Sequence, residues 1–464
     1  MEGRGRAGAW HVDCSLQGVE ATGTGKPATP GDLTAIDRGS GRGATGASTG
    51  GRGALVLLLV VATLALAVPI ILDRRSEFLA SYDEVAWHYP QIERIAFDFP
   101  RIDPDEVIVP MFPAYHWTMA SVRWLTGFGV EALRVLQLAI GAALVLVTAR
   151  LLRARTDASS ATLLALVLGL TPTVFAGSVR LTTDVPCMLM SVMALLELSR
   201  PRSTRTLARA AVFTMAAILV RQTAVWIVPL LALRAFGRAG SGSRAWLWLL
   251  VPLGGLVAIF AKWGGVLPAH MSHVHVGFPN SHGVVIGLAV LGAYVIPTLP
   301  FIQLEARRVG ASLGIGAVVV ALLLAASPLA PEVFPGGGLW SITSRGPFLG
   351  ELPFGLIALA SIGASYLAFN LRDRAGVGDV LAFSAFLGVA LVQARVYERY
   401  FEPGALLFVL WTLPRWAKSS RAPKTFATLM CLAFLPLVAL AWWTSPKELP
   451  SSTEFSITSE VSDR

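Results

Sequence analysis

Apolar runs of about 15 to 21 residues recur from Ala54 to Trp443, and nothing else in the sequence restricts the fold as tightly. A helix needs roughly 20 such residues to cross the hydrocarbon core, and it closes its own backbone hydrogen bonds, as lipid demands. The runs fall near 54–72, 130–150, 159–177, 185–199, 206–220, 222–236, 245–262, 283–303, 313–329, 352–371, 379–393, 403–417 and 425–443. They predict an all-α, polytopic membrane protein with about thirteen spans. Several runs are short, so one re-entrant or broken helix would change the parity. The composition, 54% hydrophobic and only 14% charged, agrees, since soluble domains average about 25% charged residues.

Charge then orders the loops. A net charge of +9 would point to nucleic acid in a soluble protein, but here most Arg and Lys lie in short loops between the runs. With the N-terminus cytoplasmic, the loops placed inside carry Arg150, Arg153 and Arg155, then Arg200, Arg202, Arg205 and Arg209, and later Arg415, Lys418, Arg421 and Lys424. The outside loops carry scattered arginines: Arg180, Arg221, Arg345, Arg395 and Arg399. This is the positive-inside bias, so the charge reports topology, and no nucleic-acid partner is expected. Residues 1–52 are rich in Gly, Ala, Thr and Arg without apolar periodicity, and read as a disordered cytoplasmic extension. Residues 53–445 form the polytopic unit and 446–464 a polar tail; the first run has the length of an uncleaved anchor. Cys14, Cys187 and Cys431 are scattered and form neither a disulfide framework nor a CxxC knuckle.

The longest outer loop, 73–129, falls in two parts. A helix over the membrane face is expected from Tyr82 to Phe97, and an interfacial helix over Met111–Leu125, with Trp117 and Trp124 at headgroup level. On this side fall Asp83, Glu84 and His88 of "SYDEVAWHYPQ", the "RLTTD" of Arg180–Asp184, "RQT" at Arg221–Thr223, "HMSHVHVGFPNSH" at His270–His282, and "ARVYERYFEP" at Ala394–Pro403. Polar residues converging at span ends on one face point to a site there. Asp83 is either a general base or the cap of a short helix, a role Asp fills routinely. On an α-helix Asp83 pairs with Trp87, and Glu84 with His88. The loop with His270, His273, His275 and His282 matches no standard zinc spacing. It is read as binding phosphate or sugar hydroxyls, as a plain surface loop, or as a metal site. Arg221 interrupts an apolar stretch and is either a turn residue snorkelling to the surface or a guanidinium that holds phosphate. Arg395, Arg399 and Tyr400 admit the same two readings, with Glu398 as an ion-pair partner.

Together these motifs resemble a family. "DEVAWHYPQ" followed by "DPDEVIVPMFPAYHW", then "TTDVP", "RQTAVWIV", "SHVHVGFPN" and "ERYFEP", are similar to elements that occur in this order in the dolichyl-phosphate-glucose alpha-1,2-glucosyltransferases. The pattern departs from the family at Ile102 and Ala224. The resemblance implies the GT-C superfamily: inverting transferases that need no metal or other cofactor, with an acidic residue in the first outer loop. It implies as partners a polyprenyl-phosphate sugar donor, a lipid-linked or other glycan acceptor, and membrane lipids. Asp83, with Glu84 as the alternative, would activate the acceptor. His88, Gln91, Asp184, Arg221, Gln222, His273, His275, Arg399 and Tyr400 would bind substrate. A prokaryotic plasma membrane with the site facing out is the expected location, the endoplasmic reticulum the alternative. The rival class is a transporter or flippase of lipid-linked sugars; against it, no internal repeat is visible and the span interiors carry few charges.

Overall fold

The computed structural model describes residues 49–72, 83–99, 107–236, 244–265, 267–268, 280–326, 338–349, 352–372, 374–392 and 397–444. All of its extended regular elements are helices. Helix α1 (Thr49–Leu72) is followed by a π-helical turn (Glu84–His88) that runs into α2 (Tyr89–Asp98), then α3 (Ala114–Thr126). Next come α4 (Val130–Leu152), α5 (Ala158–Leu170), α6 (Pro172–Val179), α7 (Asp184–Ser199), α8 (Thr204–Val220), α9 (Ile227–Phe236) and α10 (Leu250–Trp263). The second half holds α11 (Ser281–Val295), α12 (Ala306–Ala326) and α13 (Gly338–Thr343), then a two-residue hairpin of β1 (Phe348–Leu349) and β2 (Leu352–Pro353). It closes with α14 (Phe354–Asn370), α15 (Arg374–Gly388), α16 (Glu402–Trp416) and α17 (Ala422–Thr444). Helix α1 starts within the stretch read as an N-terminal extension.

Each apolar run of the sequence has a helical counterpart, but the helices differ in reach. Among the described residues six are long and apolar enough to cross a membrane, or seven if the bent pair α5–α6 counts as one. The others, such as α7 with 16 residues and α16 with 15, rise only about 22 to 24 Å against a core of roughly 30 Å. Among the described residues, length and composition therefore establish a multi-pass membrane protein with six to seven candidate spans; the thirteen expected from the apolar runs are not shown. Large apolar side chains such as Leu64, Val257, Val318, Leu322 and Leu440 stay exposed along these helices, as lipid-facing residues do.

Local chemistry sets the breaks. Asp157 caps α5 by accepting from the backbone N–H groups of Ser159 and Ser160 at 3.0 and 3.1 Å. Thr171 is extended and Pro172 opens α6, which turns the chain by 73°. Ser203 and Thr206 form a reciprocal capping box at α8. Where α11 crosses α14, a Cβ on Gly292 would lie 2.0 Å from the Leu359 carbonyl oxygen, and one on Gly363 2.1 Å from that of Leu288. Only glycine permits this approach, and the crossing anchors a core shared by α5, α11, α14, α16 and α17.

Candidate active site

The anchor of the site is Glu84, whose side chain is 1% exposed. Arg134 of α4 grips it through both oxygens, Nε to Oε1 at 2.9 Å and Nη2 to Oε2 at 2.7 Å. Arg180 adds a contact at 3.3 Å and the Leu181 backbone N–H donates to Oε1 at 3.0 Å. Arg134 also donates to the carbonyl of Ile71 at 3.0 Å, at the end of α1. Two guanidiniums, 5% and 1% exposed, thus share one carboxylate in a dry interior, where any one of them alone would be costly. Gln137, one turn along α4, accepts from the Tyr115 hydroxyl and donates to the carbonyls of Gly177 and Thr182. Gln91 accepts from the Ile108 N–H at 2.7 Å and braces the segment before α3.

With Glu84 turned inward, the π-helical turn sends its neighbours elsewhere. Its i to i+5 spacing, closed by the Tyr89 N–H on the Glu84 carbonyl, replaces the α-helical pairing of Glu84 with His88. Asp83 makes no side-chain cap. Instead its Oδ2 accepts from Nη1 of Arg399 at 2.6 Å, across 316 residues of chain. Arg399 lies 5.2 Å from the ring centroid of Tyr397 and 5.5 Å from that of Tyr400. Arg221 sits over the other part of this aromatic floor, 4.9 Å from the Tyr400 centroid, and is ion-paired with Asp184. Glu398 accepts backbone N–H groups of Leu339 and Trp340 at the start of α13, so it serves as a helix cap and not as the partner of Arg399.

His88 lies beside this group, and its Nδ1 is 2.9 Å from Nε2 of His116. Both rings are buried in the segment between the first two candidate spans. Burial, then the charges of Arg221 and Arg399, hold His88 down from 6.5 to about 3; burial and His88 itself keep His116 well below its ordinary value. Both imidazoles are therefore neutral at pH 7. The unfolded chain protonates His88 below about pH 6.5 while the folded chain refuses that proton until about pH 3, so stability present above 6.5 falls as pH drops through that window, and the lowered His116 acts in the same direction. Thermal melts of purified protein between pH 8 and 5 should show this loss, and His88→Gln should flatten it; an unchanged slope would place a charged imidazole here.

Asp83, His88, Asp184, Arg221, Arg399 and Tyr400 are thus gathered at one place, whereas Glu84 and Gln91 are engaged behind it. Gln222 opens the short 3-10 turn after Arg221 and is half-buried. His270, His273, His275 and Arg395 lie outside the described residues, and His282 is buried in the first turn of α11. Among the described residues no group of three His, Cys, Asp or Glu is placed to hold a metal ion. Asp184, Arg221, Arg399 and Tyr400 form the mouth of a groove between α7, α15 and α16 whose walls are apolar. Sequence reasoning missed Arg134, His116 and this groove. Arg134 carried a signal, a charge inside an apolar run that requires a buried partner.

Residues 109–263, a third of the chain, match the family model described as dolichyl-phosphate-mannose-protein mannosyltransferase. The match takes in Arg134, Arg180, Asp184 and Arg221, so this segment is similar to that of glycosyltransferases that use a dolichyl-phosphate sugar. No curated protein and no solved structure matches the chain.

Proposed function

We propose that the chain is an inverting, metal-independent hexosyltransferase that moves a sugar from a polyprenyl phosphate to an acceptor hydroxyl at the face opposite its Arg-rich loops. One observation carries the reading: a carboxylate and two guanidiniums, Asp83, Arg399 and Arg221, meet at the mouth of an apolar groove. The donor tail lies in the groove and its phosphate at the guanidiniums, whose planar forks suit phosphate oxygens. The acceptor oxygen attacks the anomeric carbon from the side away from the phosphate and inverts it. The bond from that carbon to the phosphate oxygen breaks, its electron pair leaves with the polyprenyl phosphate, and Arg221 and Arg399 stabilise the charge that develops. The acceptor proton passes to Asp83. Arg399 has donors enough for both Asp83 and phosphate, and so sets the base beside the departing group. His88, neutral, orients the acceptor, and Glu84 holds the turn that presents Asp83.

Glucose is the first donor to test, from the motif resemblance; mannose is the sugar in the matched family's name. In sealed vesicles, labelled donor supplied on the side away from the Arg-rich loops should yield free polyprenyl phosphate and glycosylated acceptor, with a chelator present. Movement of intact donor across the bilayer without release would make the protein a transporter, and loss of transfer restored by a divalent ion would reject the metal-free mechanism.

Arg221→Lys keeps the charge but loses the fork. Donor KM should rise about tenfold with the fold intact, because a point charge replaces paired hydrogen bonds. Donor affinity equal to the wild type would return Arg221 to a purely structural pairing with Asp184.

A further inference from the structure

The groove below the mouth has a definite end. It follows one face of α7 from Asp184 through Met188 and Leu195 to Ser199, 15 steps of 1.5 Å or about 22 Å. Phe383 and Phe386 of α15 and Phe408 of α16 line the opposite wall. At the far end stands Asp379, which accepts from the Trp411 indole N–H at 2.9 Å and from Arg415 at 2.5 Å. Arg155 approaches the same carboxylate at 3.6 Å and lies 4.3 Å above the Trp411 ring. Asp379 and Trp411 both line the groove, so its floor is an ion-paired plug.

We infer that this plug measures the donor: the groove takes the first four to five isoprene units of a polyprenyl phosphate and no more. This rests on the reading above that the guanidiniums at the mouth hold a lipid phosphate. Charge complementarity fixes which end of the lipid enters, phosphate at Arg221 and Arg399, hydrocarbon below. An isoprene unit spans four carbon–carbon bonds and extends roughly 4 to 5 Å, so about five units fill the distance from mouth to floor. A longer chain would have to part Asp379 from its cations, which apolar contacts cannot repay, and so it leaves sideways into the bilayer. Because the tail already resides in lipid, the gain per unit is a packing gain and modest.

The test is a binding series on the full chain in detergent, with polyprenyl monophosphates of two to eleven isoprene units and concentrations expressed per micellar volume. Affinity should rise about threefold for each added unit up to the fourth or fifth and then stay within twofold. Leu195→Trp fills the groove nearly three-quarters of the way down, about 16 Å from the mouth, and should move the plateau down by about one unit, to between three and four. Affinity that keeps climbing to eleven units, or is flat from two, overturns the inference, as does an unmoved plateau in folded Leu195→Trp. Should that variant not fold, the wild-type series decides alone. Binding does not need transfer: a plateau at five units without sugar transfer removes the enzyme reading and keeps the groove, whereas transfer without a plateau does the reverse.

Discussion

Asp83→Asn should lower kcat by about two to four orders of magnitude while donor binding and thermal stability change little, the usual worth of a positioned proton acceptor. Asn keeps the shape of Asp and can still accept from Arg399 Nη1 through its amide oxygen, so the contact seen at 2.6 Å need not be lost. What Asn cannot do is take a proton. Side-chain exposures of 20% for Asp83 and 31% for Arg399 also make their pairing a weak contributor to stability. Single-turnover transfer measured beside donor binding separates the two effects. Near wild-type transfer by Asp83→Asn would remove the base from this position.

Glu84→Gln should fail in the opposite way. It removes the carboxylate charge that buried Arg134 and Arg180 share, and breaking such a pair costs about 3 to 5 kcal/mol. The expected result is a sharp fall in folded yield and melting temperature, with the surviving folded fraction still transferring sugar. A stable but inactive Glu84→Gln would instead make Glu84 the base and Asp83 its neighbour's support. The adjacent carboxylates thus divide the work, one toward the solvent-facing mouth and one into the protein.

That division was not legible from the two letters "DE". An α-helical spacing puts Glu84 with His88, and only the π-helical turn separates them. The deciding partners, Arg134 at 50 and Arg399 at 316 residues' distance, lie beyond any local pattern. What could be read was whatever lipid makes expensive. Arg221 stood out as a charge in an apolar stretch, and the structure gives it Asp184 and Tyr400. The all-helical fold was legible for the same reason, since lipid admits few ways to satisfy a backbone. The number of crossings was not, because an apolar run of 15 to 17 residues fits a short buried helix as well as a span. The groove is a property of three helices at once, and no single one of them announces it.

The tie between Asp83 and Arg399 also sets a schedule. Glu84 can meet Arg134 and Arg180 once the first 180 residues have been made and inserted, so the loop is held early. Asp83 must wait for residue 399, and at about 5 to 20 residues per second of synthesis that is a delay of roughly 15 to 60 s. Late in that interval a half-made chain in the bilayer already holds Asp83, Arg221 and one wall of the groove, and lacks Arg399 and the opposing wall. The chemistry we propose for this site is therefore withheld from the nascent chain until its last helices arrive.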